Sequence, residues 1–403
     1  MEAWPEIKMK PVPTGVGTVA IRDSSSKKNF NPFLNKKLDI YVCGITPYDA
    51  AHVGHLFTYL IFDTLIRTSL DLGFPVTYVQ NITDIDDPLF ERARDTGETW
   101  QTIAETQIEK YQQAMIYLRL LPPNHFYSVT ESMIEIKEAA QKLESSSYAI
   151  EDAQYFQSNA EKLGAFTNMS QAELIELVRQ RGGDPDTLGK FSPLDPKIWL
   201  KSAQDEPAWE SVFGQGRPGW HIECVAIANN YFPDTFDVQG GGNDLIFPHH
   251  AMCEQMNQVL FNRPLARGFM HVELVGYQGE KMSKSLGNLV FIEDLLDRKY
   301  SANVIRLGLL AQDWREYWEF DYQIMDFAGA RLNKWTQAVN DSYFPSVKVL
   351  RTIFNEHLYN DLNISMTLAA VDAQIDQKNI ELEQESSINL ISNLFGIDLS
   401  FEV

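Results

Sequence analysis

LDIYVCGITPYDAAHVGHLFTYLIFDTLIRTSLDLGFPVTYVQNITDID, residues 38–86, opens on a β-branched and aromatic run, LDIYVCGI, that suits a buried strand. The turn TPYDAAHVGH follows. Next comes LFTYLIFDTLIRTSLDLG, an amphipathic run that stops on Gly73, as a helix should. FPVTYVQNITDID is a second strand. Strand, helix and strand at this spacing make a βαβ unit, so a parallel sheet is expected.

Outward from this unit, residues 1–37 are rich in Pro, Ser, Lys and Asn and read as an N-terminal arm or leading hairpin. The pattern turns mostly helical from Asp87 to Gln180, in TIAETQIEKYQQAMIYLRLL and MIEIKEAAQKLE. The expected organisation is a Rossmann-like domain over 38–290, interrupted by a connective insertion at about 90–190. RQRGGDPDTLGKFSPLDP is a long surface connection. Strand and helix alternate again through GWHIECVAIANNYF, FDVQGGGNDLIF and a helix beginning near Pro248. After Asn288 the chain reads as helical to its end, giving a helical stem and C-terminal helical domain over 291–403.

The 403 residues carry a formal net charge of -21, which works against the basic surface that nucleic-acid binding relies on. Small-molecule substrates are expected. No apolar run reaches the roughly 20 residues of a membrane helix, and MEAWPEIKMKPVPTG lacks the apolar core of a signal peptide. The expected location is cytoplasmic. Three widely spaced cysteines are not a disulfide framework and suit a reduced compartment. No heptad run is long enough to force a dimer, and a monomer is expected.

Two short motifs point to the chemistry. HVGH, residues 52–55, sits where a strand gives way to a helix N-terminus, whose unpaired amides and partial positive charge suit phosphates. KMSKS, residues 281–285, supplies Lys281 and Lys284, ammonium groups that can neutralise charge on departing pyrophosphate. His52 and His55 lie on one side of the first turn, with Gly54 allowing close approach. Each motif alone is weak. Together and in this order they resemble the signature motifs of class I aminoacyl-tRNA synthetases. That resemblance implies a doubly wound parallel sheet of the Rossmann-like HUP type, which activates a carboxylate with ATP and Mg²⁺, releases pyrophosphate and holds an acyl-adenylate.

All three cysteines fall beside motifs. Cys43 ends the first strand, Cys224 lies in GWHIEC, and IFPHHAMCEQ brings His249 and Cys253 four residues apart. Ligands of open α/β sheets bind at the carboxyl ends of strands, where these segments can converge. Cys43, Cys224 and His249 are the expected ligands of one Zn²⁺ per chain, with a fourth position open to substrate. Zinc separates cysteine from serine, because it binds a thiolate while a serine hydroxyl stays neutral. Cys253 is left as either a ligand of the empty site or a neutral thiol beside it. Buried apolar packing is the plain alternative for all three.

YVCGITPYD, NITDIDD, GRPGWHIEC, GGGNDLIFPHH and KMSKSLGN together resemble cysteinyl-tRNA synthetase from residue 38 to about 335. ITPYDA, DDPLFERA, RGGDP and SPLDPKIW are more similar to its relatives, the cysteine:glucosaminyl-inositol ligases of mycothiol biosynthesis. This resemblance implies zinc on Cys43, Cys224 and His249. Cys253 replaces the synthetase glutamate that serves as a further ligand. It also implies an adenylate site of Cys43, Gly44, Ile45, Thr46, Thr58, Asn81, Ile82, Thr83, Trp220, Gly242, Asn243, Asp244 and Val275. Asp244 would accept from the ribose hydroxyls, and Trp220 would wall the amino acid. The implied reaction joins L-cysteine, through cysteinyl-adenylate, to the amino group of glucosaminyl-inositol. A cysteinyl-tRNA synthetase and a noncatalytic paralogue are the alternatives. Beyond Ala330 acidic residues outnumber basic ones about twofold, a poor surface for an anticodon stem. Asp84, Asp86 and Asp49 are candidates for the base that serves the amine. The residues that grip the sugar-inositol are not legible, the RGGDP loop being one candidate.

Overall fold

The computed structural model describes residues 1–282, 287–381 and 384–400. A short antiparallel pair, β1 (Ile21–Arg22) and β2 (Asn29–Phe30), precedes β3 (Leu38–Val42), α1 (Val53–Asp71) and β4 (Val76–Ile82). Then follow α2 (Asp87–Thr96), α3 (Trp100–Tyr117), β5 (His125–Ser128) and α4 (Met133–Lys142). An antiparallel region holds β6 (Ser147–Ile150), β7 (Ala153–Phe156), α5 (Ala160–Thr167), α6 (Gln171–Gln180), β8 (Lys197–Leu200), β9 (Trp209–Ser211) and β10 (Gly214–Pro218). The parallel sheet resumes with α7 (Trp220–Tyr231), β11 (Phe236–Gly242), α8 (Ala251–Phe261) and β12 (Ala266–Val272).

The central sheet has the order β12-β11-β3-β4-β5, and every neighbouring pair is parallel. From β3 the chain builds outward through β4 and β5, and only later adds β11 and β12 on the other side. The order therefore reverses between β3 and β11, which is where a crevice opens at the carboxyl ends. Val42 stands beside Gly240 and Gln80 at that edge. β3 is buried along almost its whole length, as a central strand covered on both faces must be.

Three expectations change. α1 is buried nearly all round and not amphipathic, because it lies under the sheet and against the C-terminal helices. The segment from Asp87 to Gln180 is not simply helical: β5 joins the central sheet, and β6 and β7 start a separate five-stranded sheet that continues to Pro218. After Asn288 the chain is helical in α9 (Ile292–Asp297), α10 (Ala302–Leu310), α11 (Tyr322–Asn340), α12 (Val347–Ile353), α13 (Ile364–Asp376) and α14 (Gln384–Phe395), but not throughout. A hairpin of β13 (Val275–Tyr277) and β14 (Glu280–Lys281) precedes these helices, and the short strand β15 (Trp318–Glu319) pairs parallel with β13. Gln278 and Gly279 turn that hairpin with φ of 62° and 84°, the left-handed pair that two-residue hairpins favour.

One apolar core runs from Trp4 and Ile21 of the N-terminal arm, through α1 and the sheet, to Leu394 and Leu399. At its centre Asp63 Oδ2 accepts from Arg67 Nε at 2.8 Å and Arg306 Nη2 at 2.6 Å. Burial alone would raise the Asp63 carboxyl, but the two guanidiniums hold it below the usual range. Both arginines also donate to main-chain carbonyls, Arg67 to Asn393 and Arg306 to Leu118, so the triad ties α1 to the end of α3 and to α14.

Candidate active site

A crevice of 420 Å³ lies at the carboxyl ends of β3, β4 and β11. Its lining brings together His52, His55, Lys281, Cys43, Gly44, Ile45, Thr46, Thr58, Asn81, Thr83, Trp220, Cys224, Gly242, Asp244, His249 and Val275. Lys284 lies outside the described residues. Two expected residues do not line the crevice. Ile82 is fully buried in the core, since neighbouring side chains of a strand point to opposite faces. Asn243 turns its amide to Glu273 Oε1. Glu273 lines the crevice and was not anticipated, although it directly follows β12 at the same edge of the sheet.

The backbone here is closely packed. A Cβ on Gly44 would sit 1.6 Å from the Asn81 carbonyl oxygen, so only glycine fits. Asn81 Oδ1 accepts from Gly44 N at 3.2 Å, and its amide donates to Thr83 Oγ1 at 3.2 Å, which ties the ends of β3 and β4 together.

At one end Cys43, Cys224 and His249 place their donor atoms within 4.8 Å of one another, all three buried. The two Sγ atoms are 3.9 Å apart, and His249 Nε2 is 3.3 Å from Cys224 Sγ. Two thiolates on one tetrahedral zinc stand about 3.8 Å apart, and a thiolate and imidazole nitrogen about 3.5 Å apart, so the donor set fits that ion. Burial pushes the Cys43 thiol up, while its hydrogen bond to Cys224 holds the Cys224 thiol well down. Cys253 stands apart. Its thiol donates to the His221 carbonyl at 3.4 Å, its Sγ is 3.9 Å from His249 Nε2, and burial pushes it up.

The groups behind the cluster orient it. His249 Nδ1 is 3.1 Å from His221 Nδ1, and Trp220 stacks on the His249 ring at 4.1 Å, which leaves Nε2 facing the thiols. His250 Nε2 approaches Cys43 Sγ at 3.2 Å, and Gln239 Nε2 donates to the same sulfur at 3.5 Å. His250 Nδ1 in turn meets His271 Nε2 at 2.7 Å. His221, Gln239 and His271 were not singled out from the sequence, and His250 was noted only as the neighbour of His249. Only the doubled histidine of PHH and the histidine in GWHIEC hinted at them.

The other end has the character of a nucleotide site. His52 caps α1, its Nδ1 accepting from Gly54 N at 3.1 Å, and its ring lies 3.9 Å from that of His55. His55 Nδ1 has no hydrogen-bond partner among the described residues. Burial depresses His55 to about 4, so the ring is a neutral group at the helix N-terminus. Thr58 turns its hydroxyl to the Gly54 carbonyl at 3.0 Å. Across the crevice, Arg181 of the RGGDP loop donates to the Asp244 and Phe247 carbonyls, holding the turn that presents Asp244. Asp184 of the same loop is engaged by Tyr155 at 2.6 Å and by Lys190 at 3.1 Å. The loop therefore docks the antiparallel region onto the crevice wall.

Residues 29–329 match the model of the tRNA synthetases class I (C) catalytic domain. The chain is 39% identical over 403 residues to the L-cysteine:1D-myo-inositol 2-amino-2-deoxy-alpha-D-glucopyranoside ligase of Acidothermus cellulolyticus, covering 99% of this chain and 100% of that protein. It is 42% identical over 377 residues to the ligase of the same name from Streptomyces coelicolor, covering 92% of each. Among solved structures, methionyl-tRNA synthetase of Mycobacterium tuberculosis in complex with methionyl-adenylate superposes with a TM-score of 0.63 at 15% identity, over 89% of this chain and 92% of that one. That likeness concerns the fold alone. The chain belongs to the L-cysteine:1D-myo-inositol 2-amino-2-deoxy-alpha-D-glucopyranoside ligase family, built on a class I tRNA synthetase catalytic domain.

Proposed function

We propose that this protein is an ATP-dependent, AMP-forming ligase that joins L-cysteine to the amino group of glucosaminyl-inositol. ATP and cysteine form cysteinyl-adenylate with release of pyrophosphate, and the acceptor amine then displaces AMP to leave an amide. The observation that carries this reading is the buried Cys43, Cys224 and His249 cluster, in the same crevice as the HVGH helix terminus. A zinc ion held by those three residues supplies selective affinity for a thiolate. The remaining work is positioning and electrostatics. The N-terminus of α1 with His52 and His55 receives the phosphates, and Lys281 and Lys284 neutralise the departing pyrophosphate. Asp244 takes the ribose hydroxyls, and Trp220 walls the cysteine. Mg²⁺ accompanies ATP. No protein nucleophile is needed, because the adenylate is already the activated acyl group.

The partners proposed are these small molecules, without nucleic acid, for a monomer acting in the cytoplasm. The charge of -21 supports that choice of acceptor, and among the described residues no helix is long and apolar enough to cross a membrane. The test is acceptor choice: purified protein with ATP and cysteine is expected to convert glucosaminyl-inositol to its cysteinyl amide. Acylation of tRNA in place of amide formation would overturn the reading.

A further inference from the structure

Amide formation needs a neutral amine, whereas an aminosugar presents an ammonium ion at neutral pH. Just behind one wall of the crevice, one hydrogen bond from Thr46, stand carboxylates that neither the metal cluster nor the nucleotide end uses. Thr46 lines the crevice, and its hydroxyl donates to Asp86 Oδ2 at 3.4 Å. Asp86 is also the N-cap of α2, where Oδ1 accepts from Asp87 N at 2.9 Å. One carboxylate oxygen thus serves the helix while the other turns to the threonine at the crevice wall.

Near Asp86 lies Glu223 of α7, which is 1% exposed and whose Oε2 has no hydrogen-bond partner among the described residues. Asp86 and Asp84 are among the charges that act on it. Asp84 is held by Thr130 N at 3.0 Å. The nearby cation, Arg217, is engaged by Asp87 and Glu206. Tyr48 at the rim feels Asp49, Asp86 and Asp244 together. The Asp86 carboxylate, bonded to Thr46 of the crevice wall, is the complement of a cation that carries N–H groups. Burial lifts the Asp86 carboxyl to about 6, which suits a proton acceptor near neutral pH.

We propose that Asp86 receives the acceptor's ammonium group beside Thr46 and takes its proton. This rests on the ligase reading and deepens it. The ammonium gives one proton to the Asp86 carboxylate, and the freed lone pair attacks the carbonyl carbon of cysteinyl-adenylate. The C–N bond forms, and the bond from that carbon to the phosphate oxygen breaks with its electron pair going to AMP. The second N–H proton passes to the leaving phosphate.

The two half-reactions separate the possibilities. Asp86→Asn removes the charge but keeps the helix cap, since asparagine caps as well as aspartate. In this variant cysteine-dependent ATP–pyrophosphate exchange is expected within about twofold of wild type, while kcat/KM for glucosaminyl-inositol falls about 100-fold or more. Asp86→Glu is expected to regain part of that loss. Wild type should also bind the aminosugar better than the neutral glucosyl-inositol used as a competitive inhibitor, a preference that disappears in Asp86→Asn. Unchanged amide kinetics in Asp86→Asn, or exchange lost as severely as amide formation, would overturn the proposal and leave the ligase reading intact. A wild type that makes no amide from the aminosugar overturns the ligase reading itself.

Discussion

His249 has one ring nitrogen against His221 and the other toward Cys224, with Trp220 stacked on its face. A ring held in this way does not reorganise when a ligand arrives, so under the proposed zinc reading selectivity for cysteine would rest on the two sulfurs. Cys224→Ser is therefore expected to lose bound zinc, to raise the KM for cysteine and to narrow the discrimination against serine, as checked by elemental analysis and exchange kinetics. Cys253→Ser is expected to keep its zinc, because that thiol bonds a carbonyl and lies outside the three-residue cluster. The histidines of HVGH make a pH prediction. Burial depresses both rings, His55 to about 4, and the proximity of His55 depresses His52 further. The unfolded chain binds these protons near pH 6.5, so as pH falls from about 6.5 toward 4 the unfolded state gains protons that the folded state refuses, and stability is lost across that window. Tm is expected to decline over that range, and to decline less steeply in His55→Asn.

At the scale of elements, the Gln278–Gly279 turn sets Lys281 on a hairpin at the mouth of the crevice, and the end of α6 sends Arg181 across to the Asp244–Phe247 turn. Hydrogen bonds from a guanidinium to two carbonyls are worth about 1.5–3 kcal/mol each when buried. Arg181→Ala is expected to loosen that turn and raise the KM for ATP about tenfold, a loss of 1.4 kcal/mol or so, with zinc content unchanged. Exchange kinetics at varied ATP, run alongside metal analysis, check this. Lys281→Ala should instead slow exchange at saturating ATP.

For the whole molecule, the Asp63, Arg67 and Arg306 triad joins segments more than 240 residues apart within one core. Removing one member of a buried ion network leaves uncompensated charge and costs about 3–5 kcal/mol. Asp63→Asn is expected to lower Tm by several degrees while cysteine KM at low temperature stays near wild type, because none of the triad's side chains lines the crevice. Equal Tm in the two proteins would show that the arginines' bonds to main-chain carbonyls suffice.

Local pattern alone was enough for the βαβ unit, since strand and helix periodicity are carried by neighbouring residues in residues 38–86. The convergence of Cys43, Cys224 and His249 could also be read, Cys43 and His249 coming after β3 and β11 of the central sheet, although Cys224 on α7 arrives from β10 of the antiparallel sheet. Tertiary structure alone decided the rest. The order β12-β11-β3-β4-β5 depends on pairing between strands nearly 200 residues apart, and α1 became buried all round only when the C-terminal helices packed on it. Ile82 and Asn243 left the crevice for reasons of side-chain direction that a motif does not record. His221, Gln239 and His250 take their places around the cluster from what stands beside them in space, which exists only once the chain has closed.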